Sequence, residues 1–198
     1  MSRFIETIKL LNGKFFNLPY HEKRRRETLH AFYPNETFPS LEALVTDSDR
    51  PPEGLYKCRI TYDNKINNIE FTRYQPRKIN SLKIVNDDRI EYNYKYEDRK
   101  RINELFENRG SGDDIIIIKN SMVSDSSYAN LLFKTNDQWI TPSHCLLKGT
   151  MRQFLLDAKV IKEQEIQLAD IKNFEKVRLI NSMVGNEGPE IAISQIQF

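Results

Sequence analysis

The chain has 198 residues, 39% of them hydrophobic and 29% charged, and its 30 basic and 28 acidic side chains leave a net charge of +2. This length predicts one domain, or two small ones sharing an interface, with a core that needs no disulfide or metal. The balanced charge argues against a nucleic-acid binder, and no apolar run reaches the roughly 18 residues of a membrane helix. Two distant cysteines, Cys58 and Cys145, and an N-terminus without a signal-peptide core predict a cytoplasmic protein.

Residues 1–76 are predicted to form a smaller N-terminal α/β lobe. The segment "FIETIKLLNGKFFNL" predicts a hairpin, because its Asn12-Gly13 pair favours a two-residue turn. A helix is predicted from Pro19, which suits a first helical turn, to the "YP" that ends it. The segments "LYKCRITYD" and "INNIEFTRY" predict a second hairpin. The chain turns polar around Pro76, which indicates a linker.

Residues 77–198 are predicted to form a C-terminal α/β lobe that carries the catalytic lysine. Strands are predicted in "SLKIV" and "RIEYNYKY", followed by a helix in "EDRKRINELFENRG" that Gly110 ends. The unbroken apolar run "DIIIIK" predicts a buried strand, and "YANLLFKTNDQWITP" predicts a hairpin across "TND". A glycine-led helix is predicted in "KGTMRQFLLDAKV", with a strand-rich end after it. The fold class is therefore α/β (mixed α+β), with more hairpins than βαβ units.

Lys95 lies between tyrosines in "YNYKYEDR". Enclosure by aromatic rings would lower the pKa of a lysine by desolvation, and its neutral amine would then form a Schiff base with an aldehyde. Taken alone, a surface lysine that extends its amine into solvent is the simpler interpretation.

A polar turn, "NSMVSDSS", follows the most apolar strand of the chain. Its Asp125 either caps the turn or acts as a fixed anion that holds a proton on a heterocyclic nitrogen. Asn130 is set into the next apolar strand, "YANLLF", where a side-chain amide costs stability unless it has a partner.

Two further segments have the composition of an anion site. In "KGTMRQ", Gly149 would let the backbone approach a phosphate, and the helix start would offer the amides of Thr150 and Met151. Arg24, in "EKRRR", belongs either to a solvated basic face or to a forked contact with the same phosphate. An amine, a carboxylate partner for a ring nitrogen and a phosphate site together fit pyridoxal phosphate, and no metal site is predicted.

From about Phe4 to Met183 the chain resembles the fold-type IV pyridoxal-phosphate enzymes, the class IV aminotransferase family, and most closely aminodeoxychorismate lyase. The segments that carry the resemblance are "YKYEDR" (K-x-x-N-R in the family), "DSSYANLLF" (E-G-T-x-x-N-L-F), "LLKGTMRQ" (L-x-G-I-T-R-Q), "LINSMVG" (N-A-L-M-G), "FIETI" (F-E-T-x) and "HEKR" (H-L-x-R). The resemblance implies the two-lobed fold of the D-amino-acid-aminotransferase-like enzymes, with the cofactor between the lobes, and a homodimer.

The resemblance also implies a role for each matching residue. Lys95 would form the Schiff base, and Asp125, one methylene shorter than the family's glutamate, would pair with the ring nitrogen. Further contacts with the cofactor are implied for Arg24, Asn130, Gly149, Thr150, Met151, Asn181 and Ser182, and Arg152 falls in the same motif as Gly149.

The implied reaction is the release of pyruvate from 4-amino-4-deoxychorismate to give 4-aminobenzoate, a step of folate synthesis. An aminotransferase of the branched-chain or D-amino-acid type shares the first half of this mechanism, in which the lysine amine removes a proton from the substrate α-carbon. The sequence is also compatible with a degenerate homologue that binds the cofactor without turnover, and with a binding protein that uses "KRRR" for an acidic partner or nucleic acid. Because the chain starts near the F-E-T strand, the family's N-terminal hairpin is expected to be missing.

Overall fold

The structure is a computed structural model that describes residues 2–46, 48–136 and 138–198. The chain divides into two compact units. The first comprises the chain up to Pro76 together with Tyr94–Asp98, and the second comprises Arg77–Asn93 and Arg99–Phe198. No helix in the described ranges is long and apolar enough to cross a membrane.

The first unit is built on an antiparallel sheet with the strand order β2-β1-β3-β4. Its elements are β1 (Phe4–Leu11), β2 (Lys14–Phe15), α1 (Leu18–Phe32), α2 (Leu41–Thr46), β3 (Leu55–Tyr62) and β4 (Ile66–Arg73). Asn12 and Gly13 both have a positive φ, which is the geometry of the tight turn that joins β1 to β2. Both hairpins predicted for this part of the chain are confirmed.

One face of β1 carries Phe4, Glu6 and Ile8, because successive side chains of a strand point to opposite faces. All three are fully buried. Phe4 packs in a cluster with Leu29 of α1. Ile8 packs in a second cluster with residues of α2 and β3. A carboxylate therefore lies in the middle of an otherwise apolar face, between two clusters of the core.

The segment Tyr94–Asp98 belongs to the first unit because it bonds to the start of β1. The amide of Ile5 donates to the Lys95 carbonyl at 2.9 Å, and the amide of Glu97 donates to the Arg3 carbonyl at 2.8 Å. The rings of Tyr94 and Tyr96 pack against Phe4 and Phe32. Lys95 is thus grouped with the first unit, whereas the division predicted from sequence placed it in the C-terminal lobe.

The second unit contains two sheets, with strand orders β10-β9-β8-β11-β12 and β13-β5-β6-β7. Its elements are β5 (Leu82–Asn86), α3 (Lys100–Glu107), β6 (Asp114–Lys119), β7 (Met122–Val123), β8 (Asn130–Thr135), β9 (Gln138–Pro142), α4 (Thr150–Asp157), β10 (Lys162–Gln164), β11 (Lys176–Ile180), β12 (Glu190–Ala192), β13 (Ile196–Gln197) and 3-10 helices at Leu168–Asn173 and Ile193–Gln195. Both sheets contribute to one core cluster, in which Ile116 and Ile118 of β6 lie with Leu131 and Phe133 of β8. The predicted mixed α and β class is confirmed. Asp137, in the predicted "TND" turn, lies outside the described residues.

Three predicted elements of this half differ in the structure. "RIEYNYKY" is not a strand, because its alternating tyrosines pack as a ring cluster and only Tyr96 forms an isolated bridge, to Phe4. The helix predicted from Glu97 begins at Lys100, since Glu97 bonds to the first unit, and it ends at Glu107, before Gly110. Within the end of the chain that is predicted to be strand-rich, Leu168–Asn173 instead forms a 3-10 helix.

Candidate active site

In the first unit, the predicted phosphate ligand Arg24 is held by Glu6 of β1. The guanidinium donates from Nε to Glu6 Oε1 at 2.9 Å and from Nη2 to Oε2 at 2.5 Å. His21, one turn earlier on α1, contacts Glu6 Oε2 through Nδ1 at 2.6 Å. The two α1 side chains reach the same carboxylate because residues three apart lie on one side of a helix.

The charges of this group follow from its burial. Burial raises the pKa of Glu6, but the neighbouring Arg24 charge and the His21 hydrogen bond outweigh it and lower the pKa to about 2. Burial lowers the pKa of His21, and the positive charges of Arg24 and Lys95 act in the same direction. At neutral pH Glu6 is therefore ionised and His21 neutral. Since a carboxylate can only accept, the proton of the imidazole lies on Nδ1.

Lys95 is brought into this neighbourhood by its segment's pairing with β1. It is half-buried, and its charge contributes to the lowered pKa of His21. The predicted covalent ligand, Lys95, and the predicted phosphate ligand, Arg24, therefore belong to one unit, and the charges of both act on the buried His21.

The basic run "KRRR" is not a continuous exposed face. Arg24 is bound by Glu6, and Arg25 is buried, donating to the Pro39 carbonyl at 2.9 Å. Arg26 pairs with Glu22 on the surface of α1. Intramolecular partners thus take three of the four charges on which the acidic-partner interpretation depends.

In the second unit, the polar turn after β6 holds Asp125 in a fixed position. The backbone carbonyl of Asp125 accepts from the Ile117 amide at 2.9 Å, and the backbone of Asp125 forms an isolated antiparallel β-bridge with Asn130. The serines of the turn bond locally, since Ser126 Oγ accepts from the Ala129 amide at 3.0 Å and Ser127 Oγ donates to Asp114 at 3.0 Å. The hydroxyls of Ser126 and Ser127 therefore shape the turn, whereas the buried Ser124 hydroxyl has no hydrogen-bond partner among the described residues.

The Asp125 carboxylate is buried and accepts a hydrogen bond on each oxygen. Asn130 Nδ2 donates to Oδ1 at 2.7 Å, and the Leu147 amide donates to Oδ2 at 3.0 Å. Asn130 Nδ2 also donates to the Leu147 carbonyl at 2.9 Å, so the asparagine in the apolar strand is satisfied. Burial raises the pKa of Asp125 to about 6, although these two donors favour its charged form.

Gly149 is required by Asn130. A Cβ added to this glycine would lie 2.0 Å from Asn130 Oδ1, which is far inside any tolerated contact. The glycine of the "KGTMRQ" segment thus has a steric role that the sequence did not indicate, alongside the phosphate role predicted for it. It also begins α4, since its carbonyl accepts from the Gln153 amide at 2.9 Å.

Replacing Gly149 by alanine is expected to lower the free energy of unfolding by about 1–3 kcal/mol, because the new methyl group overpacks a buried site. Chemical denaturation of the purified variant measures this loss. Asn130→Ala removes the obstructing atom, so the double variant should be no less stable than Asn130→Ala alone. Additive losses of the two single variants would contradict the steric explanation.

The other residues around α4 bind within the unit. Thr150 is buried, and the Met151 side chain packs against the cluster of Leu132, Leu155 and others under the helix. Arg152 is buried and donates to Thr141 Oγ1 at 3.2 Å and to the Pro142 carbonyl at 3.0 Å, and it also pairs with a glutamate of β10. Arg152 therefore ties α4 to the neighbouring strands.

Asn181 and Ser182 lie in the turn after β11. Asn181 Oδ1 accepts from the amides of Met183 at 2.8 Å and Val184 at 3.1 Å, which shapes this turn. Ile180 pairs with Asn130 in the sheet, so the turn lies at the end of the sheet where β8 begins. The structure thus brings Asp125, Asn130, Gly149 and the Asn181 turn to one end of this sheet.

Glu6 and His21 were not selected from the sequence. The signal was a glutamate between apolar residues of a predicted strand, "FIETI", which needs a cation or a donor if that face is buried. The kinds of group present fit pyridoxal phosphate: an amine, a guanidinium that is 12% exposed and a buried carboxylate. Within the described part of the chain, no group of three or more His, Cys, Asp or Glu side chains is arranged to hold a metal ion.

Comparison with known proteins gives the same family from sequence and from structure. The amino-transferase class IV family matches residues 3–186. A Haemophilus influenzae protein of uncharacterised function is 37% identical over 187 residues, which cover 93% of this chain and all of that protein. A Schizosaccharomyces pombe protein named "putative aminodeoxychorismate lyase" is 40% identical over 75 residues, which cover 35% of this chain and 32% of that one.

Solved structures agree with this assignment. A chain from Haemophilus somnus 129pt, named a "putative 4-amino-4-deoxychorismate lyase", superposes with a TM-score of 0.87 at 35% identity, covering 93% of this chain and 98% of that one. A Brucella abortus aminotransferase bound to pyridoxal phosphate shares the fold, with a TM-score of 0.77 at 14% identity, covering 98% and 81% of the two chains. The chain therefore belongs to the amino-transferase class IV family, and it is a pyridoxal-phosphate-dependent enzyme, as its motifs predicted.

Proposed function

We propose that the protein is a lyase that releases pyruvate from 4-amino-4-deoxychorismate and leaves 4-aminobenzoate. The observation that carries this proposal is the similarity to the Haemophilus somnus chain of that name, which extends over nearly the whole length of both chains. The segments "LLKGTMRQ" and "LINSMVG" support it, because they resemble the lyase more than the branched-chain aminotransferases. On this proposal the enzyme serves folate synthesis.

The residues would divide the work as follows. When bound, the cofactor supplies an aldehyde and an electron-withdrawing ring. Lys95 would bind the aldehyde covalently and then move the proton of the substrate α-carbon. Asp125 would hold the proton at the ring nitrogen, and Arg24 would bind the phosphate by charge-assisted hydrogen bonds.

The remaining predicted ligands have supporting contacts of their own. Asn130 is proposed to position Asp125, to which it donates at 2.7 Å, and Gly149 makes room for Asn130. Direct contacts between the cofactor and Thr150, Met151, Asn181 and Ser182 stay predictions drawn from the family resemblance. A homodimer is proposed on the same basis, and light scattering at micromolar concentration would test it. A cytoplasmic location is proposed from the two distant cysteines.

An aminotransferase is the second candidate, because the matching family is named for that reaction. The purified protein, supplied with pyridoxal phosphate, should form pyruvate and 4-aminobenzoate in equal amounts from 4-amino-4-deoxychorismate. Lactate dehydrogenase reports the pyruvate, and fluorescence reports the aromatic amine.

Three results distinguish the candidates. Equal yields of the two products support the lyase. Conversion of amino acids to 2-oxo acids, without pyruvate from the chorismate derivative, would replace the lyase by the aminotransferase. A protein that binds the cofactor and turns over neither class of substrate would be the degenerate homologue.

A further inference from the structure

Glu6 is a buried charge at a position where an apolar residue would pack well. Its side chain is 0% exposed, and it lies between Phe4 and Ile8, both fully buried on the same face of β1. A buried ion pair is weak evidence for stability, because well-packed apolar residues of similar volume often do as well or better. We therefore look for a role of the Glu6 carboxylate beyond joining β1 to α1.

The geometry of the pair restricts the arginine. Nε and Nη2 of Arg24 both bond to the Glu6 carboxylate, at 2.9 and 2.5 Å. Two parallel bonds fix the plane of a guanidinium as well as its position. The edge that carries Nη1 then points away from Glu6. His21 Nδ1, at 2.6 Å from Oε2, prevents the carboxylate from turning with the arginine.

We propose that Glu6 is a positioning residue, which holds the guanidinium of Arg24 in the orientation that binds the cofactor phosphate, with His21 as its second anchor. The inference rests on the proposed function, because it takes the phosphate role of Arg24 from there. It assigns a role in cofactor affinity to two residues, Glu6 and His21, whose side chains are both fully buried.

Electrostatics alone predicts the opposite effect of Glu6. An ionised carboxylate next to the arginine cancels part of the field that attracts a phosphate dianion. If the electric field at the phosphate site has the larger effect, removing the Glu6 charge should tighten phosphate binding. If the orientation of Arg24 has the larger effect, Glu6→Gln should weaken phosphate binding, because the amide of a glutamine presents a donor to Arg24 or His21 and breaks the fork. The direction of the change in affinity therefore distinguishes the electrostatic explanation from the positioning explanation.

The test measures the affinity of the cofactor-depleted full-length chain for pyridoxal phosphate and for pyridoxal, which lacks the phosphate, by absorbance titration. For Glu6→Gln we expect pyridoxal phosphate to bind about one to two decades more weakly, as expected for a lost charge-assisted contact, and pyridoxal to bind within about twofold of the parent. Glu6→Asp, which keeps the charge, should retain part of the phosphate preference. A thermal melt of each variant shows whether it is folded.

Arg24→Ala is the reference variant. It should lose the phosphate preference, and adding Glu6→Gln to it should cause no further loss, because the two residues act through one contact. If Arg24→Ala leaves the preference intact, the phosphate role in the proposed function is wrong and the inference falls with it.

If Arg24→Ala removes the preference for pyridoxal phosphate over pyridoxal but Glu6→Gln does not weaken pyridoxal phosphate binding selectively, only the inference about Glu6 is overturned. That inference is also overturned if the affinity losses of Arg24→Ala and Glu6→Gln add in the double variant. Should Glu6→Gln fail to fold, the Glu6→Asp protein provides the test through the ratio of its affinities for pyridoxal phosphate and pyridoxal. A ratio equal to that of the parent would overturn the inference, because it would show that the exact placement of the carboxylate is immaterial.

Discussion

Replacing Lys95 by alanine is expected to abolish turnover, by about a thousandfold or more, together with the covalent attachment of pyridoxal phosphate. The half-buried Lys95 supplies the only amine side chain of the segment Tyr94–Asp98. The phosphate contact proposed for Arg24 does not depend on that amine, so the variant should still bind the cofactor noncovalently. Borohydride reduction followed by peptide mass analysis measures the attachment, and the yellow colour of the protein reports it independently.

Lys78→Ala is a matched control for this experiment. Lys78 is an exposed lysine of the segment that follows Pro76, and its removal should leave both colour and labelling unchanged. Labelling of a lysine other than Lys95 in the parent protein would show that the assignment is wrong, and so would a yellow, active Lys95→Ala protein.

The second large effect is expected for Asp125→Asn, which should reduce activity by roughly a hundredfold or more while attachment at Lys95 persists. A neutral amide cannot hold a proton at the ring nitrogen. The structure adds a cost in stability, because Asn130 Nδ2 and the Leu147 amide both donate to this carboxylate. In the variant one of these two donors would face the amide NH2 of the new asparagine, which should lower the free energy of unfolding by about 1–3 kcal/mol. Activity is therefore compared at a temperature where denaturation curves show both proteins to be folded.

The pH dependence of cofactor affinity provides an independent readout for Asp125. Because burial raises its pKa to about 6, the carboxyl group is protonated below that pH. Pairing with a protonated ring nitrogen then requires the release of a proton, so the dissociation constant should rise about tenfold for each pH unit below about 6. In Asp125→Asn this contribution is absent. The cofactor's own titrations are common to both proteins, so a parent and variant with parallel pH profiles would contradict the role.

Much of the fold follows from local sequence. The Asn12-Gly13 turn and the helix that starts near Pro19 are set by neighbouring residues, and both appear where the pattern predicts them. The fully buried strand β6 reads directly from "DIIIIK". The pairing of Asp125 with Asn130 was partly predictable too, since an amide in an apolar strand needs a partner and a carboxylate lay five residues away.

Other features depend on residues that are distant in sequence, which local patterns do not encode. Nothing in "YNYKYEDR" shows that its alternation comes from packing on Phe4 and Phe32. The same limit hid the Glu6–Arg24 fork, because either residue alone reads as an ordinary strand or helix position. The steric demand on Gly149 comes from the side chain of Asn130, in a different element.

The return of Tyr94–Asp98 to the first strand has a consequence for how the protein is made. Translation delivers these residues after a stretch that belongs to the other unit, so the first unit is contiguous in space but not in the gene. Until Asp98 leaves the ribosome, the amide of Ile5 has no Lys95 carbonyl to bond and the ring of Phe4 has no Tyr96 to cover it. Closing such a distant contact carries a loop entropy cost that slows folding. A gene fragment cut at Pro76 would encode all four strands of this sheet, but it would leave out the segment that bonds to Ile5 and packs on Phe4, and with it the lysine proposed to carry the chemistry.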